Sequence, residues 1–412
     1  MPRARGRDRA GARALRAAAS LLQRRRAPGG GDRPALGRAD RELPAGVLAR
    51  RADPGRDRAG HARGVHVDAG AGGDNRVVVD EATRKRRAAL DAVGPFATRD
   101  PADVRWLLCG RGRPVSAGSS PYTVSVDENH AQVLYQDIEA WRVVAEERWE
   151  ELGYEAIPHP WFEPTPDLAT ACCLDELRLA LGIEELDRYR AAGSDAADAA
   201  VEALGALRPE LSELGAAGEL AGRLAARGFT TPVVLVGGER RAPDHRHPLP
   251  TGERLGRFAL LAVTAEREGL YVSLTRIVSF GPPPRELERA VRAAAEVDAA
   301  VLCASRPGAT LGELFDVLAR TYEKQGFPEE WRRHHQGGLT GYRGREVFAV
   351  PEDPTRLPEA CAVAWNPSVT GGGKSEDTAL VTTAGVEVLT RTPSLPELET
   401  AAGLRRPAIV GL

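Results

Sequence analysis

The stretch "GLYVSLTRIVSFG", Gly269–Gly281, is rich in β-branched and aromatic residues, is bounded by glycines, and reads as a β-strand. Its surroundings extend the pattern. Upstream, "TPVVLVGG" (231–238) and "FALLAVTAE" (258–266) read as further strands, and downstream "EACAVAWNPSV" (359–369) and "DTALVTTAGVEVLT" (377–390) close a β-rich end. Helical spacing fills the intervals: "CLDELRLALGIEELDRYRAAG" (173–193), "DAADAAVEALGALRP" (195–209), "ELSELGAAGELAGRLAARG" (210–228), "PRELERAVRAAAEVDAAVLCASR" (284–306) and "LGELFDVLARTYEKQG" (311–326). Residues 168–412 are therefore expected to form an α+β domain with helices covering a curved sheet.

Before this domain, residues 77–167 read as a smaller α/β domain. "EATRKRRAALDAV" (81–93) has helical spacing, with Leu90 and Val93 on one face, and "AQVLYQD" (131–137) is strand-like. "DPADVRWLLCG" (100–110) leads from a helix start into a strand. "IEAWRVVAEERWEELG" (138–153) is expected to be a helix with Ile138, Trp141, Val144 and Trp149 near one stripe. The proline-punctuated "PHPWFEPTPD" (158–167) links the two domains.

Residues 1–76 differ from the rest in kind. They hold 18 Arg, no Lys and eight acidic residues, about +10 against about −12 for the remainder, and they lack Phe, Tyr, Trp and Ile. Such a segment buries too little apolar area to offset chain entropy, so disorder is expected. Three origins stay open: a basic arm that attracts nucleic-acid phosphates, a transit peptide (disfavoured by seven Asp and a single Ser), or sequence translated upstream of the true start. The only methionine of the chain is Met1. No apolar run reaches the ~18 residues of a membrane span. The five cysteines, Cys109, Cys172, Cys173, Cys303 and Cys361, have no metal-ligand spacing and read as buried thiols, which fits a reducing, cytoplasmic compartment.

Taken in order, several segments resemble the pita-bread metallopeptidases, the family of Xaa-Pro aminopeptidases, prolidases, methionine aminopeptidases and creatinase. "DPADVRWLLCG" is similar to the N-domain entry of the creatinase and Xaa-Pro aminopeptidase branch. "GLYVSLTRIVSFG" resembles the family's Gly-Tyr-x-Ser-Asp-x-Thr-Arg segment, "HHQGG" (334–338) its His-x-x-Gly, "AWNPSV" (364–369) its Glu-Pro, and "KSEDTALVTTAGVEVLT" (374–390) its final Glu-Asp strand pair. The resemblance implies a C-terminal pita-bread fold, a creatinase-type N-terminal domain and a homodimer.

It also implies five metal-ligand positions, and most have lost their ligand. The two aspartates fall on Ala262 and Ser273, the histidine on His335, and the glutamates on Asn366 and Glu376. One carboxylate and one imidazole cannot balance two divalent ions, because a neutral amide does not replace an anionic bridge. No dinuclear site and no cofactor are expected. Creatinase works on this fold without metal, so catalysis remains open. The candidate catalytic residues are His335, Glu376 and His245. The candidate substrate-binding residues are His247, Tyr342, Asn366, Lys374 and Arg345. An imidazole with an ordinary pKa near ~6.5 can shuttle a proton at neutral pH. Glu376 can orient it or hold a cation, Asn366 and Tyr342 suit an oxyanion, and Lys374 suits a carboxylate. His245 and His247 are alternatives for one pocket histidine. His334 reads as a solvated or packing neighbour, and Arg343, Arg345 and Glu346 read as a solvated charge cluster, with a bound carboxylate as the alternative.

"TGGGKSED" (370–377) lacks the first glycine of a phosphate-binding loop and precedes a strand, not a helix, which argues against nucleotide binding. Ser273 has no nucleophile elbow around it. The leading functional expectation is a metal-independent enzyme acting on a small amide, amidine or amino-acid-like substrate, by C–N hydrolysis. The alternatives are a non-catalytic pseudo-peptidase that binds a peptide or partner, and a metallopeptidase with a mononuclear site. Neither nucleic acid nor membrane is an expected partner of the folded part.

Overall fold

The computed structural model describes residues 74–115, 120–166, 168 and 173–412. The Arg-rich segment therefore lies, except for its last residues, outside the described residues, as does Cys172. Residues 75–412 form one compact unit that holds both sheets.

The first part begins with α1 (Asp74–Val93) and α2 (Pro101–Leu107). Asp100 caps α2 by accepting from the backbone N–H of Ala102 and Asp103. Four strands, β1 (Phe96–Thr98), β2 (Thr123–Val126), β3 (Ala131–Gln136) and β4 (Glu155–His159), pair in chain order. Two expectations fail here. The chain after α2 turns, with Cys109 and Gly110 at positive φ, and does not enter a strand. Residues 137–152 break into short 3-10, α and π turns, interrupted by Arg148 at φ 47°. Trp149 is buried, but Ile138, Trp141 and Val144 are exposed, Trp141 by 92%. The apolar spacing there belongs to two different turns, not one helical stripe.

In the second part, α3 (Asp175–Leu179), α4 (Ile183–Leu204) and α5 (Glu213–Ala225) precede the large sheet. The segments read as two helices over 173–193 and 195–209 divide differently, into the short α3 and the single long α4. The sheet runs β5 (Thr230–Gly238), β6 (Phe258–Arg267), β7 (Leu270–Ser279), then β13 (Asp377–Thr382), β10 (Ala360–Trp365), β8 (Gly337–Thr340) and β9 (Val347–Phe348). Between these lie α6 (Arg285–Ala304), α7 (Leu311–Lys324) and the small pair β11 (Ser368–Val369) and β12 (Gly373–Lys374). Strand β13 touches β7 only at Asp377↔Leu274 and then pairs with β14 (Gly385–Val388), so the sheet forks and curls.

Alternation across the strands divides the cores. Ala362 and Leu380 pack on the α4–α5 side, while Cys361, Val363, Ala379 and Val381 pack on the α6–α7 side. Cys303, expected in this core, is instead exposed near the end of α6. Among the described residues, no helix is long and apolar enough to cross a membrane.

Candidate active site

Register places the relevant positions together. In antiparallel pairing, Gly337 of β8 faces Trp365 of β10, and Trp365 faces Asp377 of β13. His335, Asn366 and Glu376 each lie just beyond these partners, so three loops converge at one end of three adjacent strands. Ala262 and Ser273 reach the same region from the β6–β7 pair, where Thr264 faces Ser273. Two glycines make the approach possible. A Cβ on Gly337 (φ 94°) would lie 2.1 Å from the Ala364 carbonyl oxygen, and one on Gly338 (φ 146°) would lie 2.2 Å from that of Val347.

The result is a cavity of about 260 Å³, lined by His247, Ala262, His335, Arg345, Asn366, Lys374 and Glu376, with Leu235 and Phe348 among its apolar walls. Its centre is an ion cluster. Arg345 donates to Glu376 Oε1 (3.0 Å) and to the Ser273 hydroxyl (3.3 Å), and Thr275 donates to Glu376 Oε2 (2.8 Å). Lys374 Nζ stands 3.7 Å from the same carboxylate, beyond hydrogen-bond length. All three charged side chains are at most 7% exposed. Burial alone would raise the Glu376 pKa, but Lys374 and Arg345 hold it below the ordinary carboxylate value. Burial lowers the Lys374 pKa against the pull of Glu376.

The imidazoles answer to the same charges. Burial, then Arg345 and Lys374, push His335 down to about 4, so it is neutral at pH 7. His247 is lowered too, by burial and Lys374. Both rings keep solvent contact, and His335 packs edge-on against Phe348. His334 is buried, not solvated. Its Nε2 lies 2.9 Å from His247 Nε2, its Nδ1 has no partner, and burial and Lys374 depress its pKa strongly.

Two sequence-derived candidates fall outside the cavity. His245 is exposed, with Nδ1 3.1 Å from the Arg241 carbonyl oxygen, and lines no part of the site. A two-residue offset on a loop turns His247 inward and His245 outward. Tyr342 is buried elsewhere: its hydroxyl donates to Glu185 (2.7 Å) and accepts from Lys85 (3.1 Å), so no oxyanion can reach it. The Arg343–Glu346 run is a solvated charge only at Arg343, whose side chain is 40% exposed and pairs with Asp100. Glu346 is 1% exposed and pairs with Arg178, and Arg345 belongs to the cavity. Thr275 went unmarked in the sequence, where a strand threonine carries no signal. Lys374 lies on β12, which leads into β13 and not into a helix, as the rejection of a phosphate-binding loop requires.

Among the described residues, the grouping able to hold a metal is His247, His334 and His335, with one ring nitrogen each within 4.8 Å of the others. The two-ion centre implied by the fold does not fit these residues. Its positions at Ala262, Ser273 and Asn366 are neutral, and its remaining carboxylate, Glu376, is neutralised by Arg345 and Lys374.

Residues 187–383 match the sequence model of metallopeptidase family M24. An uncharacterized peptidase of Staphylococcus aureus (strain MW2) is 27% identical over 168 residues, 39% of this chain and 47% of that protein; the chain thus spans about half the length of the curated relatives it matches. Similar solved structures include a dipeptidase, PepE, from Mycobacterium ulcerans (TM-score 0.62, 17% identity, covering 82% of this chain and 99% of that one). An Xaa-Pro dipeptidase from Bacillus anthracis gives a TM-score of 0.59 at 18% identity, covering 81% and 100%. The N-terminal domain of FACT complex subunit SPT16 from Cicer arietinum gives 0.54 at 13%, covering 77% and 96%. The strand order, the convergent loops and these matches together give the chain a pita-bread fold whose residues 187–383 carry the sequence pattern of metallopeptidase family M24, with neutral residues at most of the positions where the resemblance implies metal ligands.

Proposed function

We propose that this protein is a metal-independent hydrolase that cleaves a C–N bond in a small amide, amidine or amino-acid-like substrate. One observation carries the reading: Arg345 and Lys374 flank Glu376, so two fixed monocations stand beside the surviving carboxylate. The donor set is thereby satisfied without divalent ions. A neutral His335 or His247 accepts the proton of an attacking water, the water oxygen bonds to the substrate carbon, and the imidazolium returns the proton to the leaving nitrogen. The Asn366 amide N–H and the Lys374 ammonium stabilise the negative charge that develops on the substrate oxygen. Burial, then Arg345 and Lys374, lower the His335 pKa, and a substrate bearing negative charge would offset the part that the two cations contribute as it binds.

The test is turnover of a panel of small amides and amidines by chelator-treated protein. Activity that survives chelation, and falls in His335→Asn, supports the reading. Activity lost on chelation and restored by one metal would replace it with the mononuclear reading, which the His247–His334–His335 grouping favours. Binding without turnover across the panel would favour the pseudo-peptidase; the likeness to a domain not named for a peptidase gives that reading its support.

A further inference from the structure

Two features of the cavity bear on the chemistry of its ligand. The first is sign. With neutral imidazoles, Arg345 and Lys374 outweigh Glu376 by one positive charge, and none of these three side chains is more than 7% exposed. Arg345 donates to Ser273, the Gly344 carbonyl and Glu376 through its two terminal nitrogens, with only Nε unpartnered, but the Lys374 ammonium, 5% exposed, has the Glu376 carboxylate only at 3.7 Å. A buried ammonium without hydrogen-bonded acceptors is costly, and an entering anion removes that cost. The second is an orphan acceptor. Asn366 is 3% exposed, lines the cavity, and its Oδ1 has no hydrogen-bond partner. An unsatisfied buried amide oxygen on a side chain that lines a cavity asks for an N–H donor.

From these we infer that the cavity recognises a small carboxylate that also carries an N–H group: the carboxylate is held by Lys374 within the field of Arg345, and the N–H donates to Asn366 Oδ1. A fold that gathers carboxylates around cations has here reversed its sign, so the anion comes with the ligand. The volume of about 260 Å³ lies below the range of drug-sized pockets, which limits the recognised part to a few bonds around the carboxylate. The inference deepens the reading above and rests on the same cavity being the working site.

The experiment is an NMR-detected titration of the full chain with three probes. N-Acetylglycine has both features, N-acetylglycinamide lacks the charge, and N-acetylsarcosine lacks the N–H. N-Acetylglycine should bind at least about tenfold more tightly than either analogue. In Lys374→Met the preference for acid over amide should fall below about threefold while the preference over N-acetylsarcosine persists. Asn366→Ala should do the reverse. Equal affinity for acid and amide in the native protein, or no saturable binding of N-acetylglycine up to about 50 mM, overturns the inference; both results come from the unaltered chain, so a variant that fails to fold does not blur them. Because binding is read directly, the two ideas fail separately. Selective binding with no hydrolysis removes the enzyme reading and keeps the recognition, while hydrolysis of uncharged amides without preference for the acid removes the recognition and keeps the enzyme.

Discussion

Replacing Glu376 by glutamine isolates the charge balance of the site. The substitution keeps shape and one acceptor oxygen, enough to accept from Thr275, but it replaces the second acceptor with an NH2 donor and leaves Arg345 and Lys374 side by side with no anion. Breaking a buried pair by removing one partner costs about 3–5 kcal/mol. The upper part of that range is expected at first sight, because two cations lose their partner. Lys374 offers partial relief, since its already lowered pKa lets it shed the proton. A lysine whose pKa is lower folded than unfolded binds fewer protons in the native state, so stability rises with pH. The deficit of Glu376→Gln should therefore be about 3–5 kcal/mol near neutrality and shrink as pH rises toward the ordinary lysine pKa. Urea unfolding at several pH values reads it, with a midpoint shift on the order of 1 M at neutral pH. A variant within about 0.5 kcal/mol of the native protein, or a deficit that does not change between neutral and alkaline pH, would refute the reasoning.

Other outcomes follow from the same geometry. Lys374→Met removes the poorly paired charge and should change stability by less than about 1.5 kcal/mol in either direction, while raising the His335 pKa above about 4 in an NMR titration. His335 itself titrates below its unfolded value, so its contribution to stability is complete above about pH 6.5 and is lost as pH falls through about 4; Asn in its place should flatten that part of the stability–pH curve. Restoring the ligands with Ala262→Asp, Ser273→Asp and Asn366→Glu, together with Arg345→Ala, should allow two manganese or cobalt ions per chain to survive desalting, whereas Asn366→Glu alone should not; elemental analysis decides. Gly337→Ala forces a Cβ to 2.1 Å from the Ala364 oxygen at a left-handed φ, so β8 must separate from β10, and a loss of more than about 3 kcal/mol is expected by urea unfolding.

Much of the large domain was legible because its strands are long and bounded by glycines. Residues 258–266 and 269–281 are runs rich in apolar and β-branched residues, and both strands formed where expected. Local pattern failed where the chain makes short turns. Trp141 and Val144 carry helical spacing, yet π and 3-10 geometry and a left-handed Arg148 send their side chains to solvent. The site divides along the same line. Ala262, Ser273 and Asn366 announce by chemical type alone that carboxylates are missing. Nothing in the order of residues distinguishes His245 from His247, or shows that Tyr342 answers to Lys85 and Glu185, 257 and 157 positions away.

The sequence by itself determined the chemical inventory: a pita-bread order of strands, one remaining ligand carboxylate, and imidazoles beside a pair of glycines. Only the tertiary structure decided what took the place of the lost anions. Arg345 precedes β9 and Lys374 precedes Glu376, and they meet around one carboxylate because β8, β10 and β13 pair in a register that brings their ends together. Charge is a property of residues, but charge balance is a property of distance, and distance is set by the sheet.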